Sequence, residues 1–219
     1  MTTTNGQESA RGKASRGERR RAEILQAAAE VFVRSGYAGA TVDEIANVAQ
    51  ASKATIYSFF GDKAALFAAV IVERAESVLA LDLGASGGDV EAALARFARR
   101  YIAAVLSPEI LGLYRLVIAE GPRFPDIARA FFSGGPERIA AQLGAQFERW
   151  RAAGLLAVDD PLREATRFLE TLRGDLHLRA LAGLLSEPPE REVALRIAEA
   201  LSRIDFTPPG VPIAPKPAR

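Results

Sequence analysis

Apolar residues recur along most of this chain at spacings of three and four, and strict alternation is absent. That period belongs to helices with one buried face, and the abundance of Ala, Leu, Arg and Glu favours the same state. The chain therefore reads as all-α. A first helix is predicted over about 18–34, with Ile24, Ala27, Ala28, Val31 and Phe32 on one stripe. Gly36 is placed to close it with a left-handed cap that Tyr37 covers. Thr41-Val42-Asp43-Glu44 is a capping box, which opens a second helix running to about Ala49. Ser52 opens a third, to about Phe59. Gly61-Asp62 breaks the chain and restarts it as a fourth helix, from about Lys63 to Leu81, ending at Gly84.

The same period continues in the second half. Val90, Leu94, Phe97, Tyr101 and Val105 predict a helix over 89–106. Ser107-Pro108 starts another, with proline at the first helical position, reaching Gly121. A short helix follows over 125–132. Ile139, Leu143, Phe147 and Trp150 align over 136–153. Asp160-Pro161 caps a helix to about Leu185, bent at Gly174, and Val193, Ile197, Leu201 and Ile204 align over 189–204. The expected organisation is a basic arm (1–17), a helix-turn-helix unit (18–63), a linking helix (63–83), a helical regulatory and dimerisation domain (84–206) and a proline-rich tail (207–219). The arm is polar and the tail carries five prolines, so both read as disordered or extended.

Composition narrows the function. A chain of 219 residues can bury a sizeable core. A net charge of +1 says little, but residues 11–21, RGKASRGERRR, hold six basic side chains against one acid. Such a block is either a polyanion-seeking arm or a solvated tail. The absence of cysteine excludes disulfide and thiolate chemistry and suits a reducing compartment. No secretory signal is visible, and the longest apolar run, AALFAAVIV at 64–72, is far short of the ~20 residues that span a bilayer. A cytoplasmic, non-membrane protein is expected. His177 is the only histidine and is expected to be a capped or surface residue. With no cysteine and no second histidine, no metal site is expected, and no cofactor loop or catalytic constellation appears.

The stretch TVDEIANVAQASKATIYSFF, 41–60, carries the strongest signal. Two helices joined by a three- to four-residue turn pack at a steep angle, as in a helix-turn-helix. Ile45, Ala46, Ala49 and Ile56 would make the contact. The other face of the third helix shows Ser52, Lys53, Thr55, Tyr57 and Ser58: donors, a cation and an aromatic hydroxyl, with no acid. Such a helix can enter a major groove with its N-terminal residues at base edges. An ordinary solvated face would look similar in isolation. Its surroundings favour nucleic acid, because Lys63 opposes the dipole of the helix it begins and a phosphate would be a natural partner. The arginine block, including Arg19 and Arg20, runs into the first turn of the first helix.

Residues 23–67 resemble the DNA-binding domain of the TetR family of bacterial transcriptional regulators. The resemblance is carried by the Gly36-Tyr37 corner, Thr41-Val42-x-x-Ile45-Ala46, Ser52-x-x-Thr55-Ile56-Tyr57, Phe60 and Lys63-x-x-Leu66. The stretch from Tyr114, YRLVIAEGPRFPDIARAFFSGGPERI, resembles the AefR-like subgroup of its C-terminal domains. The resemblance implies a homodimer that binds double-stranded DNA and releases it when a small molecule enters the C-terminal domain. It implies phosphate contacts from Thr41 and Lys63, a recognition helix opened by Ser52, Lys53, Ala54 and Thr55, and groove contacts from Tyr57, Ser58 and Phe59. Three positions depart from the family pattern. Gln50 and Ala54 stand where glycine is frequent, and Phe59 stands where His or Tyr is common. Gln50 in a left-handed turn would cost about 1 kcal/mol.

The C-terminal half is rich in aromatics. Phe97, Tyr101, Tyr114, Phe147, Trp150 and Phe168 read either as plain core or as the lining of an effector pocket. Tyr101, Tyr114 and Trp150 fit the pocket best, since each brings a polar handle to an apolar wall. Leu169, Leu172 and Leu176, with Val193, Ile197 and Leu201, are candidates for an isologous helical dimer interface. The reading that results is a palindrome-binding regulator, expected to repress and to be released by an apolar or aromatic compound. Two alternatives stay open: a ligand-independent DNA-binding protein whose C-terminal domain only dimerises, and a helical carrier with an incidental basic arm.

Overall fold

A computed structural model describes residues 16–80, 89–185 and 188–206. Most of the predicted arm, the 81–88 linker and the 207–219 tail lie outside them. Ten helical elements and no strand occur among the described residues: α1 (Arg16–Gly39), α2 (Val42–Val48), α3 (Lys53–Phe60), α4 (Lys63–Leu79), α5 (Val90–Val105), α6 (Pro108–Glu120), α7 (Pro125–Gly134), α8 (Pro136–Ala152), α9 (Pro161–Leu181) and α10 (Glu190–Ser202). The caps follow the sequence. The hydroxyls of Thr41, Ser52 and Ser107 and the carboxylates of Asp62, Asp89 and Asp160 each accept an amide three residues on. α9 stops at Leu181, short of the expected Leu185, and α10 is trimmed at both ends.

Two glycines carry special backbone. Gly36 was expected to end the first helix in a left-handed cap. Its φ of 71° with ψ of 171° lies outside that region and makes a break, after which the chain turns on to Gly39. Gly174 breaks α9 at φ 42°, ψ −141°, the bend expected there. A β-carbon on Gly174 would stand 2.7 Å from the Arg196 guanidinium, so the bend is also where α10 comes closest.

The hydrophobic core divides in two, and the division does not follow chain order. One cluster joins Ile24, Phe32, Ile45, Ile56, Leu66 and Phe67 of α1–α4 to Leu113, Leu116 and Val117 of α6 and Ile127 and Phe131 of α7. The other joins the C-terminal turns of α4 (Ala75, Val78) to α5, α8, α9 and α10. So α6 and α7, predicted as part of the regulatory half, pack against the helix-turn-helix unit, and α4 runs through both cores. α6 crosses α1 closely: a β-carbon on Gly112 would sit 2.5 Å from the Val33 side chain. Among the described residues no single helix is long and apolar enough to cross a membrane.

Candidate nucleic-acid interface and effector cavity

The α2–α3 turn is built without glycine. Gln50 takes φ 51°, the left-handed conformation expected of it. Two sets of bonds hold it there. The Ala51 amide donates to Ala46 O at 2.8 Å, and the Arg20 guanidinium donates to Ala49 O at 3.1 Å and to Gln50 O. Arg20 thus braces the turn from α1, in addition to its bond to Glu23. That role was not foreseen for a residue of the arginine block. Arg19 is exposed nearby.

Ile56 is the only buried residue of α3, and it joins the core with Ile45 and Ala46. The opposite face, Ser52, Lys53, Ala54, Tyr57, Ser58 and Phe59, is exposed, with Thr55 half-buried. Large rings rarely face water without reason, and here Tyr57 and Phe59 both do. The hydroxyls of Ser52 and Thr55 lie 2.8 Å apart, so cap and first turn are tied together. The Lys53 ammonium rests on the Asp43 carboxylate at 2.5 Å.

Lys63 sits differently from what its charge suggested. Its ammonium donates to the carbonyls of Tyr37 at 2.8 Å and Ala40 at 2.9 Å, over the Tyr37 ring. Burial pulls its pKa below the usual lysine value, with Glu120 opposing. The cation at a helix N-terminus is therefore compensated inside the protein, which corrects the reason given for it from sequence. One N–H of the three remains for a phosphate.

A second charge closes on the same corner from the other side. The Glu120 carboxylate, the last residue of α6, accepts the amides of Tyr37 (2.9 Å) and Ala38 (2.8 Å). Phe124 packs edge-on against Tyr37. An acid at a helix C-terminus also opposes the dipole. The same mismatch with the helix dipole that marks Lys63 therefore marks Glu120 in the sequence. Arg74 of α4 makes a further junction, binding Glu73, Glu109 of α6 and Gln26 of α1.

The aromatic set splits. Phe97, Phe147, Trp150 and Phe168 are buried in the packed second core, and Phe168 also borders a groove between α9 and α10. The Trp150 Nε1–H has no acceptor. Tyr101 and Tyr114 do line a cavity, of about 50 Å³, with Ile71, Val78, Ile110 and Phe131. That holds a few waters and no organic ligand of ordinary size. Tyr101 and Pro136 are shared with a groove of about 410 Å³ between α8 and α9, open on one side. Arg173 of α9 lines that groove, and its positive charge acts on the Tyr114 hydroxyl. Its sequence signal was a charge within the apolar stripe of α9, four residues after Leu169 and three before Leu176.

His177 also departs from expectation. It is 8% exposed, set edge-on to Tyr114 with ring centroids 4.5 Å apart, and its Nε2 has no partner. Burial, then the positive charge of Arg173, lowers its pKa to about 4. Among the described residues no cluster of His, Cys, Asp or Glu suits a metal ion. The proposed dimer residues are likewise displaced. Leu169, Leu172, Val193 and Ile197 are buried in the protomer's own second core, Leu201 packs against it, and Leu176 is buried as well. The exposed leucines of this region are Leu162 (52%), Leu178 (68%), Leu184 (77%) and Leu195 (61%).

A braced helix-turn-helix fused through a shared helix to an all-helical domain with its own cavity defines the class of helix-turn-helix transcription regulators. Residues 24–70 match the profile of the bacterial regulatory proteins of the tetR family, and residues 92–204 match that of the AefR-like transcriptional repressor C-terminal domain. The chain belongs to the TetR family of transcriptional regulators. Among solved structures it is similar to a TetR-family regulator from Mesorhizobium loti, at 31% identity, TM-score 0.72, covering 87% of this chain and 99% of that one. It is also similar to the flavonoid-responsive regulator FrrA, at 33% identity, TM-score 0.64, covering 88% and 99%. Among curated proteins it resembles the HTH-type transcriptional repressor SCO4008 of Streptomyces coelicolor, 36% identical over 107 residues, 49% of this chain and 52% of that one. The repressor NicS of Pseudomonas putida is 35% identical over 77 residues, 32% and 36% of the two chains. The chain thus spans about half or less of the length of these curated relatives.

Proposed function

We propose that this protein is a cytoplasmic homodimeric repressor that binds a two-fold symmetric DNA operator and is released by a small apolar or aromatic compound. The observation that carries the reading is the exposed, acid-free face of α3, held by one buried residue on a braced turn. Ser52, Lys53, Ala54 and Thr55 open the recognition helix, Tyr57, Ser58 and Phe59 meet the groove, and Thr41, Lys63, Arg19 and Arg20 lie along the backbone. The flavonoid responsiveness of one relative supports an aromatic effector. Dimerisation is assigned to the outer faces of α9 and α10, which carry Leu178 and Leu195.

α6 is the connection between effector and DNA. It holds Tyr114 at the cavity, Arg115 on the last carbonyls of α9 (2.9 and 2.7 Å) and Glu120 on the α1 corner. A shift of α6 therefore moves the helix-turn-helix unit.

Selection of bound fragments from random duplex DNA tests the reading: a palindrome with half-sites about 34–36 Å apart is expected. Thr55→Ala should then cost about 1–3 kcal/mol on the selected site and less on random DNA. Recovery of no enriched sequence defeats the proposal.

A further inference from the structure

Arg173 sits where an arginine is costly. It is half-buried on α9 among Leu169, Leu172 and Leu176. It makes no ion pair among the described residues, whereas Arg74, which lines the small cavity, is paired with both Glu73 and Glu109. Glu170, one turn earlier, and Glu137, at the groove, are both exposed and neither reaches it as a salt bridge. Its positive charge acts on a phenol, Tyr114. A second phenol, Tyr101, faces the same groove. Burial raises the pKa of both tyrosines, so at neutral pH they are O–H groups and do not neutralise the guanidinium. A guanidinium fork flanked by neutral hydroxyl donors, beside apolar walls from Ala140, Ala141, Leu162 and Leu169, is a receptor for an oxyanion carried on an apolar body.

We infer that the groove between α8 and α9 is an effector subsite for an aromatic carboxylate, with the carboxylate on Arg173 beside the Tyr101 hydroxyl and the ring system on Ala140, Leu162 and Leu169. This rests on the ligand-released reading above and supplies the charge of the ligand. The groove volume of about 410 Å³ accommodates a one- or two-ring acid. Because the Arg173 charge also acts on Tyr114 of α6, a carboxylate that neutralises it changes the electrostatics at the cavity end of the helix that grips the DNA-binding unit.

The test is calorimetry of the full chain at neutral pH with 2-naphthoate and its uncharged counterpart 2-naphthamide, on the parent protein, Arg173→Gln, Arg173→Lys and Tyr101→Phe. The parent is expected to bind the acid at least tenfold more tightly than the amide. Arg173→Gln should bring the two within about twofold by weakening the acid alone, while Arg173→Lys keeps part of the preference and Tyr101→Phe reduces it. Unchanged amide affinity shows that the Gln variant is folded. Equal affinity for the two probes in the parent, binding of neither, or a preference that survives Arg173→Gln overturns the inference. DNA release is scored separately by anisotropy on the selected operator. An acid that binds through Arg173 without displacing DNA defeats the ligand-release reading and leaves the carboxylate subsite standing.

Discussion

His177 is the only imidazole of the chain, so in the unfolded chain it titrates above the carboxylates. Its pKa falls from 6.5 to about 4 on folding. Between these values the unfolded chain takes up a proton that the folded protein refuses. Stability is therefore full above pH 6.5 and is lost as pH falls toward 4, by up to about 3 kcal/mol from this group. Thermal melts across that window should slope for the parent and flatten for His177→Gln, whatever the variant's stability at pH 7. An unaltered slope would mean that the imidazole titrates normally. The residue type alone suggested a surface position. Only the packing of α6 on α9 puts Tyr114 over the ring and removes water from Nε2.

At the scale of the elements, the corner after α1 is gripped by two side chains of opposite charge, Lys63 on its carbonyls and Glu120 on its amides. Lys63 comes from the same unit as the corner, and Glu120 comes from α6. Glu120→Ala should leave two amides without their carboxylate and cost on the order of 1 kcal/mol in stability. Its larger effect should be on coupling. Effector affinity measured by calorimetry stays within about twofold, while the effector concentration needed to release DNA rises severalfold, because a shift of α6 no longer pulls on the corner. Equal losses of release and of effector binding would instead place Glu120 in the folding of α6 alone.

For the whole molecule, the question is which apolar surface is left over. The stripe leucines of α9 and α10 are consumed inside the protomer, and Arg179–Glu192 and Arg196–Asp175 clamp the two helices together. Leu178 and Leu195 remain outside. Leu178→Glu together with Leu195→Glu should convert the proposed dimer to a 23 kDa monomer in sedimentation and weaken operator binding at least tenfold, with the melting temperature of the protomer little changed. A dimer that persists in the double variant would move the interface to another face.

Much of this was legible in the chain. The period of three and four, the caps at Thr41, Ser52, Asp62, Ser107 and Asp160, and the turn at Gln50 are local matters, settled within about four residues by hydrogen bonds and sterics. So was the exposed polar face of α3, because one buried residue, Ile56, orients a short helix. Periodicity says which side of a helix is apolar, and it is silent on what that side meets. That is why Phe97, Phe147, Trp150 and Phe168 read as core with a pocket left open, and why the inner leucines of α9 and α10 read as a dimer face. Contacts between residues distant in sequence made the remaining choices: Arg20 on the α2–α3 turn, Arg74 across three helices, Glu120 and Lys63 on one corner, and Arg173 beside two phenols. Each depends on where the helices cross, which is decided when two faces compete for the same buried volume.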